Sequence, residues 1–233
     1  MEPQSAYTHS PAPVAAIGED ARATFVARTY AHLLAAILAF TGIEIFLFTS
    51  GLAETMAVSM LGVSWLWILG GFVVLSWIAS RMAHTAQALG TQYLALGIFV
   101  VAEAIIFVPL LYVAQAYAPG AIQSAALVTA LAFTALTGIV FVTKKDFSFL
   151  RGIVFWGMIV ALVLIVAGAL FGFDLGTFFS VAMVGLAGAA ILYDTSNVLH
   201  HFPEDRYVGA ALELFASVAL MLWYVLRIFI SRD

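Results

Sequence analysis

The chain has 233 residues, of which 64% are hydrophobic and 9% charged, with mean hydropathy +1.08 and net charge −4. Soluble domains carry about 25% charged residues, so these figures exclude a water-soluble globular class and indicate an all-α polytopic membrane protein. No basic run suggests a nucleic-acid partner, and with no cysteine the chain has no disulfide, thiolate catalysis or cysteine-based metal site.

Residues 1–26 contain Pro, Ala and Ser without periodicity, and read as a disordered tail. The tail has no basic segment ahead of an apolar run, so no signal peptide is expected. Residues 27–233 then form one domain of seven transmembrane helices in a single bundle. The apolar segments fall at about 28–49, 57–79, 92–114, 122–142, 152–172, 177–198 and 209–230, each near the roughly 20 residues that span a bilayer. No internal repeat is evident, which disfavours an inverted-repeat transporter.

Lysine and arginine set the orientation. If the tail is inside, Arg22, Arg28, Arg81, Lys144, Lys145, Arg151 and Arg206 are inside, and only Arg227 and Arg232 are outside. The expected topology is a cytoplasmic N-terminus and an external C-terminus, which requires an odd number of spans. Trp65 and Trp67 lie in the outer half of the second span, Trp77 near its inner end and Trp156 near the inner end of the fifth, which partly suits interfacial belts. The small-residue pairs Gly168/Gly172 and Gly185/Ala189 suit close helix packing.

Few ionisable groups lie in the spans: His32, Glu44, Glu103, Asp194, Glu213 and Arg227. An Asp at a bilayer centre costs roughly 2.5–3.5 kcal/mol on insertion scales, so a retained acid needs a partner, a wet cavity or a proton to exchange. Asp194 lies about one turn from the inner end of the sixth span, and Glu213 about one turn into the seventh. Consecutive antiparallel helices are usually neighbours, so the two acids can approach one another. Ser217 is four residues after Glu213 on the same helix face, Asn197 is three after Asp194, and Arg81 ends the second span on the same side. Asp194, Glu213, Ser217 and Arg81 therefore form a candidate proton-operated latch, since two carboxylates in low dielectric cannot both ionise cheaply. The alternative is that both acids reach water or headgroups, with Glu213 favoured by its helix N-terminus.

Glu103 is near mid-span and cannot snorkel, so it is expected to face a polar interior. With Glu44 and Asn197 it makes a candidate ion pathway, although Glu44 is close enough to the outer end to be solvated instead. His32 reads as a helix-surface residue, and the loop pair His200 and His201 as solvated, because a metal site needs more ligands. Enzyme templates are missing. There is no His-Glu-x-x-His or Gly-x-Ser-x-Gly, and Tyr193-Asp194 lacks the Gly-x-Gly-Asp partner of an intramembrane aspartyl protease. A non-enzyme without cofactor or metal is expected.

Five fragments together resemble the Bax inhibitor-1 family and its bacterial YccA-like branch. They are Lys144-Lys145-Asp146-Phe147-Ser148-Phe149-Leu150, Ile191-Leu192-Tyr193-Asp194-Thr195-Ser196-Asn197, Ala210-Ala211-Leu212-Glu213-Leu214 with Leu226-Arg227, Glu103 six residues before Pro109, and the closing Ser231-Arg232-Asp233. The resemblance covers all seven spans and implies a bacterial inner-membrane protein. It also implies a pH-sensitive calcium leak channel, in which Asp194 would pair with a second acid and an arginine, here Arg81, would lock the closed state. The second acid position falls on Ser217, a departure shared by the YccA-like branch, and Glu213, one turn away on the same face, is the expected substitute. The same branch implies an alternative role as a modulator and substrate of the membrane AAA+ protease FtsH, with the tail as its grip. Calcium, membrane lipid and FtsH are the partners these readings imply.

Overall fold

The computed structural model describes residues 12–85 and 88–231. Among them are eight α-helices: α1 (Glu19–Thr49), α2 (Leu52–Leu61), α3 (Trp65–Thr85), α4 (Leu89–Tyr117), α5 (Ala121–Thr143), α6 (Leu150–Phe171), α7 (Gly176–His200) and α8 (Tyr207–Ile230). Seven of these are long and apolar enough to cross a membrane. The exception is α2, whose 10 residues extend only about 15 Å at 1.5 Å per residue.

The second apolar segment, expected at 57–79, is therefore corrected. Its first residues belong to α2, the chain breaks at Gly62, Val63 and Ser64, and the crossing helix runs six residues further, to Thr85. Glycine begins this short element: Gly51, the α2 N-cap, has φ +79°, a conformation L side chains rarely adopt. The extension of α3 carries Ser80 and His84 into the helix, with consequences for the site.

The tail expected over 1–26 is also corrected. Residues 1–11 lie outside the described residues, as do Arg232 and Asp233 of the closing fragment. From Ala12 onward the chain is anchored through Val14. A 3-10 turn, Val14–Ala16, places Val14 fully inside the core. The Val14 amide donates to the Phe202 carbonyl at 2.9 Å and the Glu204 amide to the Ala12 carbonyl at 3.2 Å. Arg22 clamps the same strap, donating to the carbonyls of Ala15 (2.8 Å) and Val14 (3.2 Å). Helix α1 then starts at Glu19, with Glu19 and Asp20 in its first turn, where acidic side chains complement the helix dipole.

The bundle is built around α8, on which α7, α1, α5, α4 and α3 all pack. The apolar windows of α8 and α4 are 67% and 61% buried inside the protein, against 11% for α3 and α6. The peripheral helices turn large apolar side chains outward, such as Trp67, Val142, Phe171 and Phe178, as a lipid-facing surface requires. One core cluster joins Phe25, Leu33, Ala83, Phe99 and Phe215. A second joins Phe107, Ala187, Ile191 and Met221. Phe40 bridges them, edge-on to Phe107 at 5.2 Å and to Phe215 at 6.1 Å. The end of the bundle bearing the strap and the α5–α6 and α7–α8 loops is called the basic end below.

Candidate functional site

Helix α8 meets α3 closely because Gly209 has no side chain. A Cβ there would lie 2.9 Å from the Ala83 carbonyl oxygen, well inside normal contact. Ala79 and Ala83, both buried, keep the facing surface of α3 low. Ser80 and His84 are four residues apart and share one face of α3, and this approach brings both to Glu213. Its Oε1 accepts hydrogen bonds from Ser80 Oγ at 2.7 Å and His84 Nε2 at 2.8 Å. His84 is held from behind: its ring stacks on Phe202 at 5.8 Å, and Arg206 donates to its backbone carbonyl.

One turn further along α8, Ser217 Oγ donates to Asp194 Oδ2 of α7 at 2.5 Å. Both residues are buried. Asp194, Glu213 and Ser217 line one cavity of about 950 Å³ between α3, α4, α6, α7 and α8. Glu103 of α4 lines it too; it is buried and has no hydrogen-bond partner among the described residues. The rest of the wall is largely apolar and aromatic, and Arg227 and Asp174 also contribute to the lining. Carboxyls sharing so small a low-dielectric space cannot all be charged at little cost, so the cavity favours protons or a cationic guest.

The expected constellation is thus partly assembled. Asp194, Ser217 and Glu213 come together, and Glu103 joins them. Arg81 does not, and this corrects the expected latch. It is exposed, with its guanidinium 5.4 Å from the centre of the Trp77 ring. The reason is helical phase: Ser80 and His84 take the α8-facing side, and Arg81 follows Ser80 by about 100° around α3. Ser80 and His84 were not foreseen from the sequence, because the expected span ended at 79 and left both outside it; only the longer α3 puts them on one helical face. Neither Glu44 nor Asn197 lines the cavity. Glu44 is buried on α1, and neither carboxyl oxygen has a hydrogen-bond partner among the described residues. The Asn197 carbonyl accepts the amides of His201 and Phe202, ending α7. Among the described residues no three His, Asp or Glu side chains gather as a metal site.

A second polar cluster lies in the α5–α6 loop, outside the spans. Asp146 Oδ1 accepts the Ser148 amide at 2.8 Å, and Oδ2 lies 2.9 Å from His201 Nε2. Ser196 of α7 donates to Asp146 at 3.3 Å and accepts the Phe147 amide at 2.8 Å. The Ser148 amide first, and His201 second, hold the Asp146 carboxyl down at about 2. His201 is therefore tied to the loop rather than free in solvent. His32 lies at the surface, 2.8 Å from the Tyr93 hydroxyl.

Comparison with known proteins places this geometry in a family. The Escherichia coli K12 protein named "Modulator of FtsH protease YccA" is 34% identical over 108 residues, covering 45% of this chain and 49% of that protein. "Inner membrane protein YccA" of Escherichia coli O6:H1 matches to the same extent. An uncharacterized protein of Pseudomonas aeruginosa is 35% identical over 109 residues, 46% of this chain and 49% of its own. The chain thus spans about half the length of the curated relatives it matches. The match to the family described as "Inhibitor of apoptosis-promoting Bax1" is far longer, over residues 22–233, and the chain belongs to that family, in its YccA-like branch.

Proposed function

We propose that this chain is a multi-pass inner-membrane protein that modulates a membrane-bound AAA+ protease of the FtsH type. The observation that carries this is the 34% identity to a protein named as a modulator of that protease. The positive-inside rule supports a cytoplasmic basic end, since Arg22, Lys144, Lys145, Arg151 and Arg206 all belong to it. That orientation puts residues 1–11, ahead of the docked strap, on the side where such a protease would meet them. The test is co-purification of the tagged chain with FtsH from membranes, with and without residues 2–11, alongside the half-life of a membrane substrate of the protease. Association that needs those residues, with a lengthened half-life, supports the reading. No association, and no change in half-life, refutes it.

A second reading is favoured by the acid-lined cavity: proton-sensitive passage of a cation such as calcium. Asp194, Glu213 and Glu103 are the residues that would carry it, with Glu213 taking the role the family resemblance gives to an acid at position 217. Calcium flux into proteoliposomes would be compared at about pH 6 and about pH 8, for wild type, Asp194→Asn and Glu213→Gln. Flux whose pH response vanishes in both variants supports it. Flux no greater than in empty liposomes refutes it, and an unchanged response in Glu213→Gln removes Glu213 from the sensor.

A further inference from the structure

The cavity has a second property that neither protease modulation nor inorganic ion passage uses. Aromatic rings line its wall in two groups. Trp65 stacks on Trp223 at 5.9 Å, Trp223 meets Phe107 edge-on at 5.0 Å, and Phe72 lies against Phe99 at 6.3 Å. All five line the cavity that holds Glu103, Asp194 and Glu213. We infer that the cavity between α3, α4, α6, α7 and α8 is a binding site for a lipophilic organic cation. Its charged centre meets Glu103 and the Asp194–Ser217 pair, and its apolar body lies along the aromatic wall.

The lining, size and access of the cavity support that class of ligand. Glu103 is 7% exposed, lines the cavity and has no hydrogen-bond partner among the described residues, so it is an acceptor left for a guest. Among the described residues, the only basic residue of the lining is Arg227. It follows Ser217 on α8 by ten residues, about 15 Å along the axis, away from Glu103, Asp194 and Glu213, of which only Glu213 has a basic partner, His84. Aromatic faces attract an organic cation and raise no barrier to its apolar parts, whereas a hydrated metal ion gains little from them. No three acids or histidines gather as a metal site among the described residues. At about 950 Å³ the space falls in the range of small-molecule pockets, roughly 300–1,000 Å³. Access is available from the bilayer, because α3 and α6 both line the cavity but touch each other only sparingly.

The test uses the purified full chain in nanodiscs of zwitterionic lipid, with radiolabelled tetraphenylphosphonium as the probe and empty nanodiscs as background. Saturable binding is expected. A long-chain alkylammonium should compete for it, while a fatty acid or alcohol of equal length should not. Glu103→Gln should weaken binding about tenfold, as loss of one charge-assisted contact would. Met158→Trp, which fills the α6 side of the cavity and leaves every carboxyl in place, should abolish it. Glu54→Gln, on the exposed face of α2, should bind as wild type. Thermal midpoints of each variant verify folding, and the competition series on unaltered protein needs no variant. Three results would overturn the inference: no saturable component, equal competition by the fatty acid, or wild-type affinity in folded Glu103→Gln and Asp194→Asn together. Protease association and calcium flux are separate readouts, so failure here leaves those readings standing.

Discussion

Ser217→Ala is the most direct probe of the site, because Ser217 provides the one side-chain hydrogen bond to Asp194 among the described residues. At 6% and 7% exposure, neither partner can be compensated easily by bulk water. A buried hydrogen bond to a charged acceptor is worth about 1.5–3 kcal/mol, and one between neutral groups about 0.5–1.5 kcal/mol. Removing the hydroxyl also leaves Asp194 Oδ2 unsatisfied, so the upper part of each range applies. The loss expected for an ionised Asp194 is about 2–3 kcal/mol, and for a neutral one about 1 kcal/mol. The assay is unfolding in mixed micelles with increasing SDS, for wild type, Ser217→Ala, Asp194→Asn and the double variant. The cycle isolates the pair from general cavity effects. A coupling energy near zero, with Ser217→Ala within about 0.5 kcal/mol of wild type, would refute the pairing of α7 and α8 through this bond.

Gly209→Ala should lower stability by about 1–3 kcal/mol, the usual cost of overpacking, and should loosen His84 from Glu213, because its Cβ would press on the Ala83 carbonyl. An unchanged melting temperature with an unchanged His84 NMR signal would contradict the close α3–α8 approach. Asp146→Asn tests the loop. The folded-state value of about 2 lies below the ordinary value of about 4, so the carboxylate stabilises the fold above about pH 4 and loses that contribution as pH falls toward 2. The wild-type advantage in melting temperature should therefore be full at neutral pH and gone by about pH 2; a difference that does not vary with pH would count against the assigned contacts. Arg22→Ala removes both side-chain bonds that hold the strap. Faster hydrogen exchange at the Val14 amide is expected, and unaltered protection there would show that Arg22 does not secure it.

The seven crossings were legible because a bilayer imposes a length and a polarity that composition reports directly. What was not legible is where a crossing helix begins and which way it faces. Gly62, Val63 and Ser64 differ little from the residues around them, so hydropathy runs through the break between α2 and α3. Helix α3 is apolar nearly all round, so its own pattern does not identify the side that meets α8. That ambiguity gave Arg81 a place that belongs to Ser80 and His84. Equal depth on consecutive antiparallel helices was enough to bring Asp194 and Glu213 to one region, but that Ser217 bonds to Asp194 while Glu213 turns to Ser80 and His84 is decided by packing. Glu103 was recoverable because mid-span depth leaves an acid few options. Glu44 sits close enough to a span end for depth to allow solvation, and only packing places it inside. The strap had no clear cue, because the apolar stretch around Val14 is too short and too broken by Pro13 and Gly18 to show a period.

The strap also links the two ends of the functional question. Val14 is bonded to Phe202, Phe202 stacks on His84, and His84 is bonded to Glu213, which lines the cavity. A contact path therefore joins the amino-terminal segment to the acid cluster, and truncations of different length are different experiments. Removing residues 2–11 leaves Val14 and the Phe202 contact in place, and so isolates whatever a protease recognises. Removing residues 2–17 takes Val14 out of the core and withdraws the support behind Phe202 and His84. If the shorter truncation alone abolishes protease association while ligand binding and flux persist, the terminal residues act as a handle. If only the longer one changes association, and ligand binding or flux changes with it, the effect runs through the cavity and not through the handle.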